Sequence, residues 1–221
     1  MTSTTTDIAV VYADDALIVL NKPAGLLSVP GRGDDKQDCL SARVQQCFSD
    51  ACIVHRLDMA TSGLLVMARG ALAQRTMNAA FASRTVRKRY QAIVDGTLRS
   101  DRSETSEHWN TIDLPIHLDW ENRPRRVINA LQGKPSSTRW RTLSIDSQQQ
   151  TTRVELEPVT GRSHQLRVHL LAINHPILGD ALYAPEPVSH KSARLLLHAT
   201  EIELPHPLRQ TLMRFTSLPP F

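Results

Sequence analysis

With 221 residues, 41% of them hydrophobic, the chain can bury a sizeable core and suits one domain or two intimately packed halves. No apolar run approaches the roughly 18 residues of a membrane span, and the polar start, residues 1–7, lacks the apolar stretch of a signal peptide; the cytoplasm is the default compartment. A net charge of +4 and a pI near 9.2 are modestly basic and favour a polyanionic partner.

In chain order, residues 1–7 read as a short disordered lead. Residues 8–12 and 17–20 are β-branched runs separated by Ala13-Asp14-Asp15, a hairpin pattern. Asn21-Lys22-Pro23-Ala24-Gly25 is a Pro/Gly turn, and residues 28–33 form a loop. Asp38 is placed to cap a helix running to Phe48, with Leu40, Val44, Cys47 and Phe48 on one face. Residues 70–84 predict a second amphipathic helix whose buried stripe is Leu72, Met77, Ala80 and Phe81. Residues 86–94 alternate as a strand with Tyr90, Ala92 and Val94 on one face. Residues 98–119 are less regular, and residues 101–107 read as a mobile polar loop. Residues 138–145 and 151–156 pair as strands around a polar turn. Gly161 ends the second of these, and a helix starts near Ser163 with Leu166, Leu170 and Ile173 as its core stripe. Residues 213–215 form the last strand.

Between the two predicted helices lies the most informative stretch, His55-Arg56-Leu57-Asp58-Met59-Ala60-Thr61-Ser62-Gly63-Leu64. Apolar runs at residues 52–54 and 64–68 flank it, so it reads as two strands joined by a turn at Thr61-Ser62-Gly63. If the segment is extended, Arg56 and Asp58 share a face while His55 and Leu57 point the other way. An isolated Arg-x-Asp is commonly only a surface ion pair. The kinase His-Arg-Asp motif does not fit, because Leu57 intervenes and no Asp-Phe-Gly or Gly-rich loop is present.

The whole string resembles the signature of the RluA-type pseudouridine synthases. So do Asn21-Lys22-Pro23-Ala24-Gly25, the Lys88-Arg89-Tyr90 setting, Gly161-Arg162-Ser163-His164-Gln165-Leu166-Arg167, and residues 174–180 and 195–199, all in family order. The resemblance implies an α+β fold: a mixed, mostly antiparallel sheet with flanking helices, in two halves around a central cleft. It implies one catalytic domain over residues 8–221. Strands begin by about residue 8, so no S4-type RNA-binding domain is expected.

The resemblance makes Asp58 the catalytic carboxylate, Arg162 its partner and Tyr90 the aromatic group against the target base. With the basic clusters it places RNA contacts at Arg56, His55, Thr61, Lys88, Arg123, Arg125 and Arg126. Pro30-Gly31-Arg32 and Asp119-Trp120-Glu121-Asn122-Arg123-Pro124 are similar to the dual-specificity branch of the family. For that branch the partners are 23S rRNA, at uridine 746, and tRNA anticodon stem-loops, at uridine 32. A synthase acting on another uridine, a non-catalytic RNA-binding protein of the same fold and a glycosidase-like hydrolase stay open as alternatives.

No cofactor is expected, and the chain is expected to act as a monomer. Nine histidines invite a metal reading, yet His164 and His169 are five apart and no His-Glu-x-x-His occurs, so metal is expected to play no part. Cys39, Cys47 and Cys52, without Cys-x-x-Cys spacing, read as reduced and mostly buried thiols.

Overall fold

A computed structural model describes residues 8–99 and 108–221, so the expected lead and the expected polar loop over residues 101–107 lie outside the described residues. The elements begin with β1 (Ala9–Ala13), β2 (Leu17–Lys22), α1 (Leu40–Cys47), β3 (Ala51–Ile53), β4 (Ser62–Arg69) and α2 (Gly70–Ala82). They continue with β5 (Arg87–Asp95), β6 (Asn110–Asp113), β7 (Ile116–Leu118), β8 (Arg126–Ile128), β9 (Ser137–Asp146) and β10 (Thr151–Pro158). The chain ends with α3 (Gln165–Ala172), α4 (Glu186–Ser189), β11 (Leu197–Pro205) and β12 (Leu212–Thr216). This is an α+β chain, and the pairs β1–β2, β2–β4, β3–β4, β5–β10, β6–β9, β7–β8, β9–β10 and β11–β12 are antiparallel. It divides into two compact units: the chain up to Arg87 with Ala199–Leu218, and Lys88–His198 with Pro219–Phe221.

In the first unit the strand order is β1-β2-β4-β11, with β12 added beside β11 and β3 beside β4. The β1–β2 turn is organised by Asp14, whose carboxylate accepts from Ala16 N (2.9 Å), Leu17 N (2.8 Å) and the Tyr12 hydroxyl (2.7 Å) and pairs with His206 Nε2 at 2.9 Å. Burial opposes its ionisation, but the Ala16 amide, the Tyr12 hydroxyl, the Leu17 amide and His206 outweigh that and hold the carboxyl far below the usual carboxylate range. β4 is buried from Ser62 to Ala68, as a strand covered on both faces must be, and α2 lays Ala73, Met77 and Ala80 against it with Phe81 at the margin.

Three expectations are corrected in this unit. Leu72 is 60% exposed and stands outside the α2 stripe. Asp38 does not cap α1; Cys39 holds the cap position, and Asp38 instead forms a two-pronged ion pair with Arg43 at 2.7 and 2.6 Å. Cys47 ends α1 exposed, Cys52 is half-buried, and Cys39 alone of the three free thiols is buried.

In the second unit the order is β5-β10-β9-β6. Leu156 of β10 stands opposite both Tyr90 of β5 and Trp140 of β9, and all three are buried. The alternate residues carry charge: Arg141 pairs with Glu155 at 2.6 Å and Arg139 with Glu157 at 3.0 Å. The guanidiniums of Arg89, Arg139 and Arg141 lie 4.9–5.5 Å from the Trp109 ring centroid.

α3 buries every residue from Gln165 to Leu170, polar ones included. Its stripe is therefore wider than Leu166 and Leu170, and Ile173 falls just beyond the helix, half-exposed. Arg167 forms a buried two-pronged pair with Asp180 at 2.8 and 2.6 Å. His169 is wholly buried between the Thr138 hydroxyl (2.9 Å) and the Leu114 carbonyl (3.0 Å). The carbonyl requires Nε2–H, and in the neutral ring Nδ1 accepts from the Thr138 hydroxyl.

Burial lowers the His169 pKa, against the opposing influence of the Leu114 carbonyl and Asp113. A histidine whose folded pKa is depressed stabilises the fold fully above its ordinary 6.5 and loses that contribution as pH falls from there through the folded value. A His169→Gln variant, uncharged at every pH, is therefore expected to be less stable than the parent at pH 7.5, with the gap narrowing toward pH 5. Urea unfolding of both proteins across that range checks this, and a gap that widens on acidification contradicts it.

Candidate active site

The segment carrying Asp58 is not a plain hairpin turn. β3 ends at Ile53 and β4 begins at Ser62, so residues 54–61 form an irregular loop, and Ser62-Gly63 belongs to the strand rather than to the turn. Backbone hydrogen bonds fix this loop. Ser28 Oγ donates to the Leu57 carbonyl (2.7 Å) and accepts from the Leu57 amide (3.1 Å). The Thr61 amide donates to the Asp58 carbonyl at 3.1 Å, and the Gly25 amide to the Met59 carbonyl at 2.8 Å.

Lys22, wholly buried, donates from Nζ to the carbonyls of Pro23 (2.8 Å), Leu26 (2.7 Å) and Met59 (3.0 Å). Leu57 is buried, Arg56 is exposed and Asp58 is half-buried. The carboxylate thus stands on a backbone held on both sides by the 22–28 segment, the kind of support that a reacting group needs to keep its direction.

In the sequence Lys22 belongs to a Pro/Gly turn and to a family motif, with no role of its own. Its ammonium now ties together three carbonyls, one of them next to Asp58 in sequence. Lys22→Met keeps the length of the side chain but leaves buried acceptors without that donor, and is expected to lower the unfolding free energy by about 2–4 kcal/mol. Urea denaturation measures it, and a loss under about 0.5 kcal/mol would show that water replaces the ammonium at little cost.

His55 and Thr61 are the two expected RNA contacts that lie on this loop and at its end. His55 Nε2 accepts from the Val66 amide at 3.0 Å, and its ring lies 4.8 Å from that of Phe81. Thr61 is 2% exposed. Both are tied into the packing of the loop.

In the second unit, Tyr90 is 8% exposed on β5. The exposed Arg162 belongs to the turn before α3, which is set by Gln165, a residue the sequence reading did not single out. Gln165 Oε1 accepts from the Arg162 amide (3.0 Å) and the Thr160 hydroxyl (2.6 Å). Its Nε2 donates to the Ser137 carbonyl (2.9 Å) and Thr138 Oγ1 (3.0 Å). The helix expected to start near Ser163 begins at Gln165, and His164 holds its cap position in a left-handed conformation, φ 57°, with Nδ1 at 2.6 Å from the Tyr183 hydroxyl.

Lys88 is half-buried on β5, and burial lowers its pKa. Arg123, Arg125 and Arg126 lie on the arm formed by β7, β8 and their connection, Arg123 and Arg125 exposed.

One metal-like grouping occurs among the described residues, Asp14, Asp15 and His206, with ligand atoms within 4.8 Å of one another. Its donors are already committed to Tyr12, two backbone amides and Arg209.

The family model for RNA pseudouridylate synthase matches residues 16–172, and the chain belongs to that family of isomerases. It is 44% identical over 212 residues to the dual-specificity RNA pseudouridine synthase RluA of Pasteurella multocida, covering 96% of this chain and 93% of that protein. It is 42% identical over 208 residues to the protein of the same name from Escherichia coli K12, covering 94% and 91%. Among solved structures, human RNA pseudouridylate synthase domain containing 1 matches with a TM-score of 0.79 at 28% identity, over 100% of this chain and 87% of that one. Human RNA pseudouridylate synthase domain containing 4 matches with a TM-score of 0.71 at 25% identity, over 96% and 88%. Among the described residues, no helix is long and apolar enough to cross a membrane.

Proposed function

We propose that this chain isomerises uridine to pseudouridine in both 23S rRNA, at uridine 746, and tRNA anticodon arms, at uridine 32. The observation that carries the reading is the Asp58 loop: the one carboxylate of the family signature on a backbone fixed from both sides. The dual specificity printed in the relatives' names supports the choice of substrates.

In the reaction the bond from C1′ to N1 of the base breaks, the base turns, and C5 bonds to C1′. C5 then loses its proton and N1 gains one. Nothing is oxidised, so the chemistry needs no redox partner. The target atoms are inaccessible in a stacked loop, so the nucleotide turns out of the stack before reacting.

Asp58 acts on it as nucleophile or base. Arg162 is the cation that the family motif assigns to direct such a carboxylate. Tyr90 offers an aromatic face to the uracil, and Arg56, planar and able to stack, fills the gap that the uridine leaves. Arg125 and Arg126 of the β7–β8 arm hold phosphates, a contribution that fixes position but not sequence. The enzyme works as a cytoplasmic monomer without metal.

The test is to incubate the purified chain, with and without EDTA, with a 23S hairpin and a tRNA anticodon stem-loop and to map modified uridines by carbodiimide primer extension. Pseudouridine at both positions, unaffected by EDTA, is the expected result. Bound but unchanged RNA would make the chain a binding protein, and an abasic site would make it a hydrolase.

A further inference from the structure

Trp120 is 62% exposed, although tryptophan is the residue with most to gain from burial. Its surroundings hold it there. The Asp119 carboxylate accepts from the Asn122 amide (3.2 Å) and from Asn122 Nδ2 (2.9 Å). The Asp119 amide donates to the Arg125 carbonyl (3.2 Å), and the Arg125 amide to the Asn122 carbonyl (3.0 Å). The arm is anchored at its base by Tyr183, whose hydroxyl accepts from the Arg126 amide at 2.8 Å. The turn is thus a closed, hydrogen-bonded unit, and the indole projects from it.

One face of that indole is occupied. The Arg123 guanidinium carbon lies 4.9 Å from the ring centroid, and Arg123 Nε donates to the Trp120 carbonyl at 3.1 Å. Arg125 is exposed a few residues on, with its guanidinium 5.8 Å from the Tyr183 ring. Residues 119–126 carry three arginines against Asp119 and Glu121, and Asp119 faces the turn's own donors.

Trp109 in the same unit makes the contrast. It too is ringed by arginines, but each of them pairs with Glu155 or Glu157. At Trp120 no carboxylate pairs with Arg123 among the described residues.

We infer that Trp120 is a stacking platform for an unpaired nucleobase of the RNA, with Arg123 as the fixed lower layer and Arg125 taking a neighbouring phosphate. This rests on the reading of the chain as an RNA-modifying enzyme and adds to it a contact remote in sequence from Asp58. An aromatic face is sequence-tolerant, since every base has a π-face, so it gives affinity for unpaired loops of differing sequence. Fully paired RNA has no base to offer it.

Trp120→Phe and Trp120→Ala separate stacking from shape. The chain has three tryptophans, so the fluorescence of Trp120 is the difference between the parent and Trp120→Phe. Titration with a uridine-containing stem-loop is expected to quench that difference, and a blunt duplex of the same stem is expected not to. Trp120→Phe retains the stem-loop Kd within about threefold, and Trp120→Ala weakens it roughly tenfold or more while duplex binding stays unchanged. Single-turnover rates at saturating RNA stay at the parent value in both variants.

Unchanged stem-loop affinity in Trp120→Ala overturns the inference, as does equal weakening toward duplex. A parent that self-associates through this face, with monomers on Trp120→Ala substitution, also overturns it and makes the arm a protein interface. If the parent isomerises no RNA, the proposed reaction fails, and the binding titrations still decide the role of Trp120.

Discussion

Asp58→Asn is expected to lower uridine isomerisation by about a thousandfold or more while leaving RNA affinity within about threefold of the parent. The carboxamide has nearly the shape of the carboxylate but is neither a nucleophile nor a base at neutral pH. The loop itself is held by bonds to the backbone of Leu57, Asp58 and Met59 from Ser28, Thr61, Gly25 and Lys22, and the substitution leaves those bonds in place. The chemistry supplies its own readout, because C5 loses its hydrogen in the rearrangement. RNA carrying tritium at C5 of the target uridine releases it only as the reaction proceeds. Tritium release by purified Asp58→Asn within about tenfold of the parent would remove Asp58 from the chemical step and move the search to another group.

Much of this was legible in the residues, and the pattern of what was not is physical. Strands β2, β4, β5, β9 and β10 and helix α2 announce themselves by local periodicity, which depends only on neighbours along the chain. The residues that prepare the site do not. Lys22 reaches Met59 across 37 positions, and Ser28 reaches Leu57 across 29. A lysine in a Pro/Gly turn looks solvated until the fold closes over it.

The local competition between side-chain bonds was equally hidden. Asp38 has the spacing of a cap but finds Arg43, and the bond from the Val66 amide to the His55 ring nitrogen joins positions that no local pattern pairs. Gln165 was quoted within a motif without a role, because its work, holding the Arg162 amide while bonding β9, is visible only once two segments meet.

The glycine of the signature shows the same limit and yields the sharpest stability test. Ser62-Gly63 reads as a chain break, yet Gly63 lies in β4, opposite Lys22, with φ +109°. A Cβ there would stand 2.3 Å from the Ala199 carbonyl oxygen and 2.5 Å from its amide nitrogen, distances no side chain tolerates. The obstacle is backbone of β11, which is also tied to β12 from Glu201 to Pro205 and so has little freedom to retreat.

Gly70 is the internal control: its φ is +74°, but a Cβ there meets nothing within 4 Å. Gly70→Ala is therefore expected to cost only the conformational strain, about 1–2 kcal/mol. Gly63→Ala adds steric exclusion to that strain and is expected to lose about 4 kcal/mol or more, with much of the protein insoluble at 37 °C. Urea midpoints of the two variants, measured side by side at 20 °C, separate the effects. If Gly63→Ala falls within about 1 kcal/mol of Gly70→Ala, the close approach of β11 is not what demands a glycine beside the Asp58 loop.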